Sequence, residues 1–350
     1  MNSRQLVLDA FSFRTPSRIP RYDSFWHFPP EWRARLGPVE DLTDIRIWAP
    51  DETPFPTRAG KLKEEGGWVY EVTGWGQTVR RRQGANFTEI LSVAVPPGVD
   101  PDSVTFDPPT LESRFGRGKN LADEECALIG DKSRYAVLVK TGGPYLRTAF
   151  LRGEEAFLFD MAADPSLAAA LAAKVTDHIT AVGVHALKRW NLQETGMWIS
   201  DDMASNNGPL FSPRSFEQIL LPSYRRMIAA YRAAGARYIL LHSDGCINPL
   251  MDMLVDAGID GINPLERRAG MDPVALRKRY PRLILVGGMD NTGTLIHGPV
   301  AAIQAQAREL IELGRHGGLV IGAHSIGPDI PLEHVAAYLD TCYKYGVFGG

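Results

Sequence analysis

From about residue 135 onward, short β-rich apolar runs alternate with polar loops and amphipathic helical stretches. The runs are Ala136 to Lys140, Met197 to Ser200, Tyr238 to Leu241, Gly261 to Asn263, Leu283 to Val286 and Leu319 to Gly322. The helices between them carry clear start signals. Ser212 and Pro213 read as an N-cap and first helical residue, Pro165 opens an Ala-rich helix reaching Trp190, Pro299 opens one that ends near Gly314, and Pro331 opens the last, to about Tyr345. Strands that alternate with helices form parallel sheets with crossover connections. No GxGxxG follows a strand, no P-loop is present, and Gly142, Gly143 and Pro144 read as a turn rather than a phosphate cradle, so a closed barrel is expected over an open nucleotide-binding sheet.

The first 130 residues differ in texture, being rich in Pro, Gly and Trp. Arg4 to Phe13 reads as a short helix, Ile19 to Phe25 as the first barrel strand, and Trp68 to Ile90 as a hairpin broken near Gly74 to Gly76. The expected fold is therefore α/β, a (β/α)8 TIM-type barrel with an N-terminal elaboration. Residues 1–350 form a single domain in this reading, with 30–130 as the elaboration over one end. There is no low-complexity segment and no short-period repeat.

Composition narrows the function classes. The 350 residues include 38 Lys or Arg and 41 Asp or Glu, a formal charge of -3, which gives no electrostatic reason to expect nucleic acid or an acidic membrane as partner. The run Arg80, Arg81, Arg82 reads as a solvated strand face. The start lacks the pattern of a secretory signal and no apolar stretch approaches the length of a spanning helix, so a cytoplasmic protein without a membrane partner is expected. Cys126, Cys246 and Cys342 are too few and too scattered for a disulfide framework.

Four side chains with metal-ligating chemistry, His242, Asp244, Glu266 and His324, each follow an apolar run. At the C-terminal rim of one barrel they would converge, and His242 and Asp244, two apart on an extended chain, would face the same way. Each has a plainer role available: a strand-end histidine also serves as a hydrogen-bonded core residue, and Asp before Gly forms turns. Asp201 and Asp202, at the end of the WIS run, are candidates for acid and base chemistry, with loop capping as the alternative, and Asp290 is a third such candidate. Trp26, His27, Tyr145 and Asn291 are candidates to line the mouth and bind substrate. His178, His185 and His334 fall in helices and read as structural, and Cys246 as packing.

The segments DDMASNNGPLFSPRSFEQILLPSYRRM, HSDGCINPLMDMLVDAGIDGINPLE, GGMDNTGTLIHG and GAHSIGPDIPLEHVAAY resemble the uroporphyrinogen decarboxylase superfamily. So do the opening RQLVLDAFSFRTPSRIPRYDSFW and the stretch GPYLRTAFLRGEEAFLFDMAADP. The resemblance is to the corrinoid- and coenzyme M-linked methyltransferase branch. True uroporphyrinogen decarboxylases carry an Arg-rich RQAGR element that grips substrate carboxylates, and here the corresponding stretch reads DSFWHFPPEW.

The methyltransferase branch holds zinc with a His-x-Cys pair, a Glu in some members and a distant Cys. His242 matches the His, Asp244 stands for the first Cys, Glu266 falls where the Glu would be, and His324 stands for the last Cys. The resemblance thus implies a divalent metal, zinc first, in a site that has exchanged two thiolates for carboxylate and imidazole and could also accept iron, manganese or cobalt. Such a site is better suited to polarising an oxygen or nitrogen than to ionising a thiol. The function expected is transfer of a methyl group from a small methoxylated or methylamine-type donor to a corrinoid (cobalamin) on a partner protein, because the chain has no corrinoid-binding motif of its own. Barrels of this superfamily often dimerise, so the resemblance admits a homodimer while the sequence leaves the oligomeric state open. Two rivals stand beside this reading: a metal-dependent decarboxylase or lyase of a small carboxylic acid, with Arg147 as its carboxylate clamp, and a non-catalytic binding barrel.

Overall fold

The computed structural model describes residues 2–82, 88–116 and 130–348. Thirteen strands can be followed in chain order. They are β1 (Ile45–Trp48), β2 (Gly60–Glu65), β3 (Trp68–Val72), β4 (Thr78–Arg82), β5 (Glu89–Ser92), β6 (Ala136–Gly142), β7 (Met197–Ser200), β8 (Ala204–Ser205), β9 (Gly208–Pro209), β10 (Ile239–His242), β11 (Gly261–Asn263), β12 (Ile284–Met289) and β13 (Leu319–Ala323). Seven of them pair in parallel in the order β1-β6-β7-β10-β11-β12-β13. All six runs expected as strands from residue 135 onward are in this sheet.

The ladder among the described residues is seven strands, not a closed ring of eight. The segment Ile19 to Phe25, expected as the first strand, instead lies along β13 through isolated parallel bridges, Arg21 to Ile321 and Phe25 to Ile326. Its sequence explains the difference. Pro20 lacks a donor for any ladder. On the other side the Arg21 amide donates to the Asp44 carboxylate at 2.8 Å, and the Asp44 amide returns to the Arg21 carbonyl at 2.8 Å, so a side chain replaces a rung of backbone pairing. The strand next to β6 is β1, which lies inside the stretch 30–130 read from the sequence as elaboration. The rest of that stretch builds a separate antiparallel sheet, β2-β3-β4-β5. The basic run lies on β4 of this sheet, where the Arg80 Nε sits 2.6 Å from a Glu89 oxygen and Arg80 and Arg82 both lie over the Trp68 ring.

Alternation along the parallel strands divides the core in two. Ile45, Ala136, Leu138, Trp198, Leu240, Ile284, Val286 and Val320 meet one another on the concave side, with Val7, Leu8, Ala10 and Phe11 of the helix Ser3–Phe11 packed among them. Convergence of one face of every strand on a common cluster means that the sheet curls upon itself, and the N-terminal helix stoppers that interior. The other parity, including Val137, Val139, Ile199, Leu241, Ile262 and Leu285, packs against the surrounding helices.

The helix Pro165–Arg189 corrects a sequence expectation, since it is long and apolar enough to cross a membrane. Here it is a core helix, with Leu171, Val175, Ile179 and Val182 fully buried. Its His178 is buried, meets the Phe106 ring at 5.2 Å and has its pKa pushed down to about 4 by burial. Cys246 and Cys342 are free thiols, and Cys126 lies outside the described residues.

The stopper yields a stability prediction. Phe11 is buried and meets Tyr238 edge-on at 5.1 Å, so Phe11→Ala is expected to lower unfolding free energy by about 3–5 kcal/mol. Leu62→Ala, on an exposed edge strand, is expected to change it by less than about 0.5 kcal/mol. Equilibrium denaturation of both variants checks the contrast.

Candidate metal centre

Because β10 sends Leu240 into the barrel interior, His242 two residues on points the same way at the C-terminal rim. The chain then leaves the strand with Asp244 still at the mouth, and turns at Gly245. That glycine has φ +79° and a Cβ there would stand 2.6 Å from the Ala204 and Ser205 carbonyl oxygens, so the β8–β9 hairpin can close over the loop only because no side chain intervenes. On β13 the same alternation runs from Val320 through Gly322 to His324.

Three of the four expected ligands come together. The His242 Nε2, an Asp244 oxygen and a His324 ring nitrogen lie within 4.8 Å of one another. Asp244 Oδ1 is 3.7 Å from His242 Nε2 and 3.4 Å from His324 Nε2. Donor atoms about 2.1 Å from a tetrahedral ion stand about 3.4 Å apart, so the separations suit a common ion. Two of these atoms, Asp244 Oδ1 and His324 Nε2, are buried with no hydrogen-bond partner among the described residues, an arrangement that costs about 1–3 kcal/mol for each unless something else satisfies it. Burial pushes the His324 pKa down, which favours the neutral imidazole a metal needs.

The tautomer of His242 is set from below. Its Nδ1 lies 2.6 Å from Asn263 Oδ1, and the Asn263 amide donates to the Val286 carbonyl at 3.0 Å. With the amide nitrogen committed to Val286, the amide oxygen faces the imidazole and accepts from Nδ1–H, leaving the Nε2 lone pair free toward Asp244. Asn263 was not among the sequence candidates. The signal available was a polar residue ending a buried run, in register with His242 across β10 and β11.

Glu266, the fourth expected ligand, stands apart from the converging trio. Its Oε2 accepts the Gly245 amide at 2.5 Å, and burial, with Asp244 and Asp202 nearby, pushes its pKa up. Asp202 is closer, with Oδ1 accepting the Asp244 amide at 3.1 Å and lying 3.7 Å from His242 Nε2. A cleft lined in part by Asn206, Leu265, Arg268, Met289 and Asn291 leads to Glu266 and His324.

Several sequence candidates take other roles. Asp201 is fully buried, and its carboxylate accepts the Tyr145 and Leu146 amides at 3.0 and 2.6 Å and the Tyr224 hydroxyl at 2.6 Å. It caps the helix Pro144–Arg152 and cannot reach the mouth as an acid or base. Asp290 lines the cleft beside Arg268, 3.5 Å away, and both its oxygens bind the turn that follows, accepting the Thr292, Gly293 and Thr294 amides at 3.0–3.1 Å, which hold its pKa down. Tyr145 is buried, with its hydroxyl on Glu154 at 3.0 Å and its ring against Phe211, and does not line the mouth. Trp26 and His27 are exposed; the Trp26 amide donates to the Ile326 carbonyl at 3.1 Å, beside the loop that carries His324, but neither side chain lines the cleft. Arg147 ion-pairs with Glu52 at 2.6 Å beneath Trp75 and Phe150. His185 lies against Phe115, and the His334 Nδ1 bonds the Leu295 carbonyl at 2.7 Å.

A curled parallel sheet bearing a ring of imidazole and carboxylate donors at its C-terminal rim defines the class: a barrel-type enzyme scaffold with a candidate metal site. The particular family is the uroporphyrinogen decarboxylase (URO-D) family, whose model matches residues 124–345, and the chain belongs to it. Within it the likeness is to methyltransferases. Over 149 residues the chain is 29% identical to methylcobamide:CoM methyltransferase MtaA of Methanosarcina barkeri (strain Fusaro / DSM 804), and 28% identical to an MtaA of Methanosarcina barkeri. Each match covers 42% of this chain and 41% of the relative, so the chain spans less than half the length of the curated relatives it matches. A solved methyltransferase from Methanosarcina mazei superposes with a TM-score of 0.65 at 18% identity, covering 99% of both chains, a likeness of fold.

Two outcomes are expected from this geometry. His324→Ala should abolish zinc retention while leaving the melting temperature within a few degrees of the parent, because the ring nitrogen serves the mouth and not the core; metal analysis and a thermal melt decide it. Asn263→Val, which removes the acceptor for His242 Nδ1–H, should weaken zinc binding about 10–100-fold, read by competition with a chromophoric chelator.

Proposed function

We propose that this protein is a metal-dependent methyltransferase that demethylates a small methoxylated or methylamine-type substrate and passes the methyl group to a corrinoid carried by a partner protein in the cytoplasm. The observation that carries the reading is the pair of buried, unpartnered donor atoms, Asp244 Oδ1 and His324 Nε2, beside a His242 whose free nitrogen faces them. These three would hold the ion, zinc first, in an all-nitrogen-and-oxygen set. When bound, the ion would supply Lewis acidity toward a donor oxygen or nitrogen, which otherwise leaves poorly.

The chain's own residues complete the arrangement. Asn263 keeps His242 in the binding tautomer, and Asp202, accepting the Asp244 amide at 3.1 Å, holds the Asp244 loop against His242. Glu266, pushed toward its protonated form, can give one to the departing oxygen or nitrogen. The absence of a cysteine from the donor trio, with Asp244 and His324 in place of thiolates, favours an ether or amine over a thiol as the bound group. The lyase alternative is less favoured, because the Arg147 Nε already pairs with Glu52 Oε1 at 2.6 Å.

The test is single-turnover methylation of supplied cob(I)alamin by methoxylated aromatics and methylamines. Cobalt methylation that disappears in His324→Ala is expected. Efficient thiol methylation without cobalt methylation would overturn the acceptor, and carbon dioxide release from a carboxylic acid with no methyl transfer would overturn the reaction.

A further inference from the structure

On β6, alternation carries Ala136 and Leu138 into the barrel interior, and Lys140 follows at the same parity. A lysine on the inner face of a barrel strand is costly to bury and is kept there only where its charge is used. Its register partner on β7 is Trp198, whose ring lies 6.2 Å from that of His242, so a single side chain stands between the amine's strand and the donor trio. Among the described residues Lys140 has no hydrogen bond and no ion pair, although it is only half-buried. The charged groups within its field are Arg147, Glu52 and Asp202. Arg147 and Glu52 neutralise one another at 2.6 Å, and Asp202 is turned toward the Asp244 amide and His242. The ammonium is therefore without a bonded anion among the described residues, and Asp202 is the acidic group it shares with the donor trio.

We propose that Lys140 is a substrate-anchoring residue that holds a carboxylate on the methyl donor, the donor's other end lying toward His242, Asp244 and His324. This rests on the reading of the site given above and narrows its substrate to methoxylated or N-methylated carboxylic acids. Strands β6 and β10 flank β7, so their backbones are about 10 Å apart. Trp198 and Tyr22, packed edge-on at 5.1 Å, supply an aromatic floor between the two ends. No covalent step is assigned to Lys140.

The experiment compares binding of 4-methoxybenzoate and neutral 4-methoxybenzyl alcohol to the zinc-loaded protein by calorimetry. The parent is expected to prefer the carboxylate by about tenfold or more, the value of one charge-assisted hydrogen bond. Lys140→Met and Lys140→Gln should bring the ratio near one with zinc content unchanged, and Lys140→Arg should retain most of it. A preference that survives in both neutral variants, or is missing from the parent, overturns the proposal. The same comparison on metal-free protein keeps the two readings separable: failure to bind zinc would count against the metal-dependent reaction, while the Lys140-dependent ratio would still report on the anchor.

Discussion

Side chains two apart on a strand share a face, and in a curled parallel sheet that face becomes a common interior whose upper end is the site. Every group at the mouth depends on this constraint. Leu240 leads to His242, Gly261 to Asn263 and Leu138 to Lys140, each pair one step up the same face, and Val320 leads through Gly322 to His324 in two. The apolar members of these pairs pack with the helix Ser3–Phe11 and fix the strands. A slip of one residue in any strand would turn its mouth residue out toward the helices.

Electrostatics then decides which of the assembled groups can meet a cation. Asp202, Asp244 and Glu266 crowd two histidines at the rim, and among the described residues nothing basic pairs with Asp244 except those imidazoles. Two imidazoles and a carboxylate oxygen aimed at one point form a donor set whose chemistry fits a divalent ion, since coordination would offset the desolvation imposed on Asp244 Oδ1 and His324 Nε2. The Asn263 bond adds direction, because without it the two tautomers of His242 would compete.

Much of this was legible in the chain. The runs from Ala136 to Gly322 became strands, and the strand-end positions of His242, Asp244 and His324 were sufficient to expect their meeting. Three things were not legible, each for a stated reason. The strand Ile45–Trp48 sits among prolines and tryptophans that mask a four-residue run, while Ile19 to Phe25 reads as a full strand although it pairs with β13 only through isolated bridges and the Asp44 carboxylate takes one rung on its other side. Glu266 follows its strand through a turn, so chain position did not reveal that Gly245 would hold it. Asn263 carries no ligand chemistry of its own, and its importance is visible only through the register that sets it beside His242.

The adjacent pair Asp201 and Asp202 shows how far the alternation rule reaches. Ile199 and Asp201 face the helix layer; Trp198, Ser200 and Asp202 face the interior. The first carboxylate accordingly meets the amides of Tyr145 and Leu146 and the Tyr224 hydroxyl, and burial pushes its pKa up to about 6. The second meets His242 and the Asp244 amide at the mouth. Composition could not separate them, but parity does. Asp290 marks where the rule stops. It shares the inward parity of Val286 and Gly288, yet Gly287 and Gly288 take φ +117° and +98°, outside the conformation that alternation requires, and the carboxylate is bound to its own turn at the wall of the cleft, away from the donor trio. Inward parity therefore places a chemical group only while the strand keeps its extended backbone, which β10 and β13 do up to His242 and Ala323 and which β12 gives up two residues early.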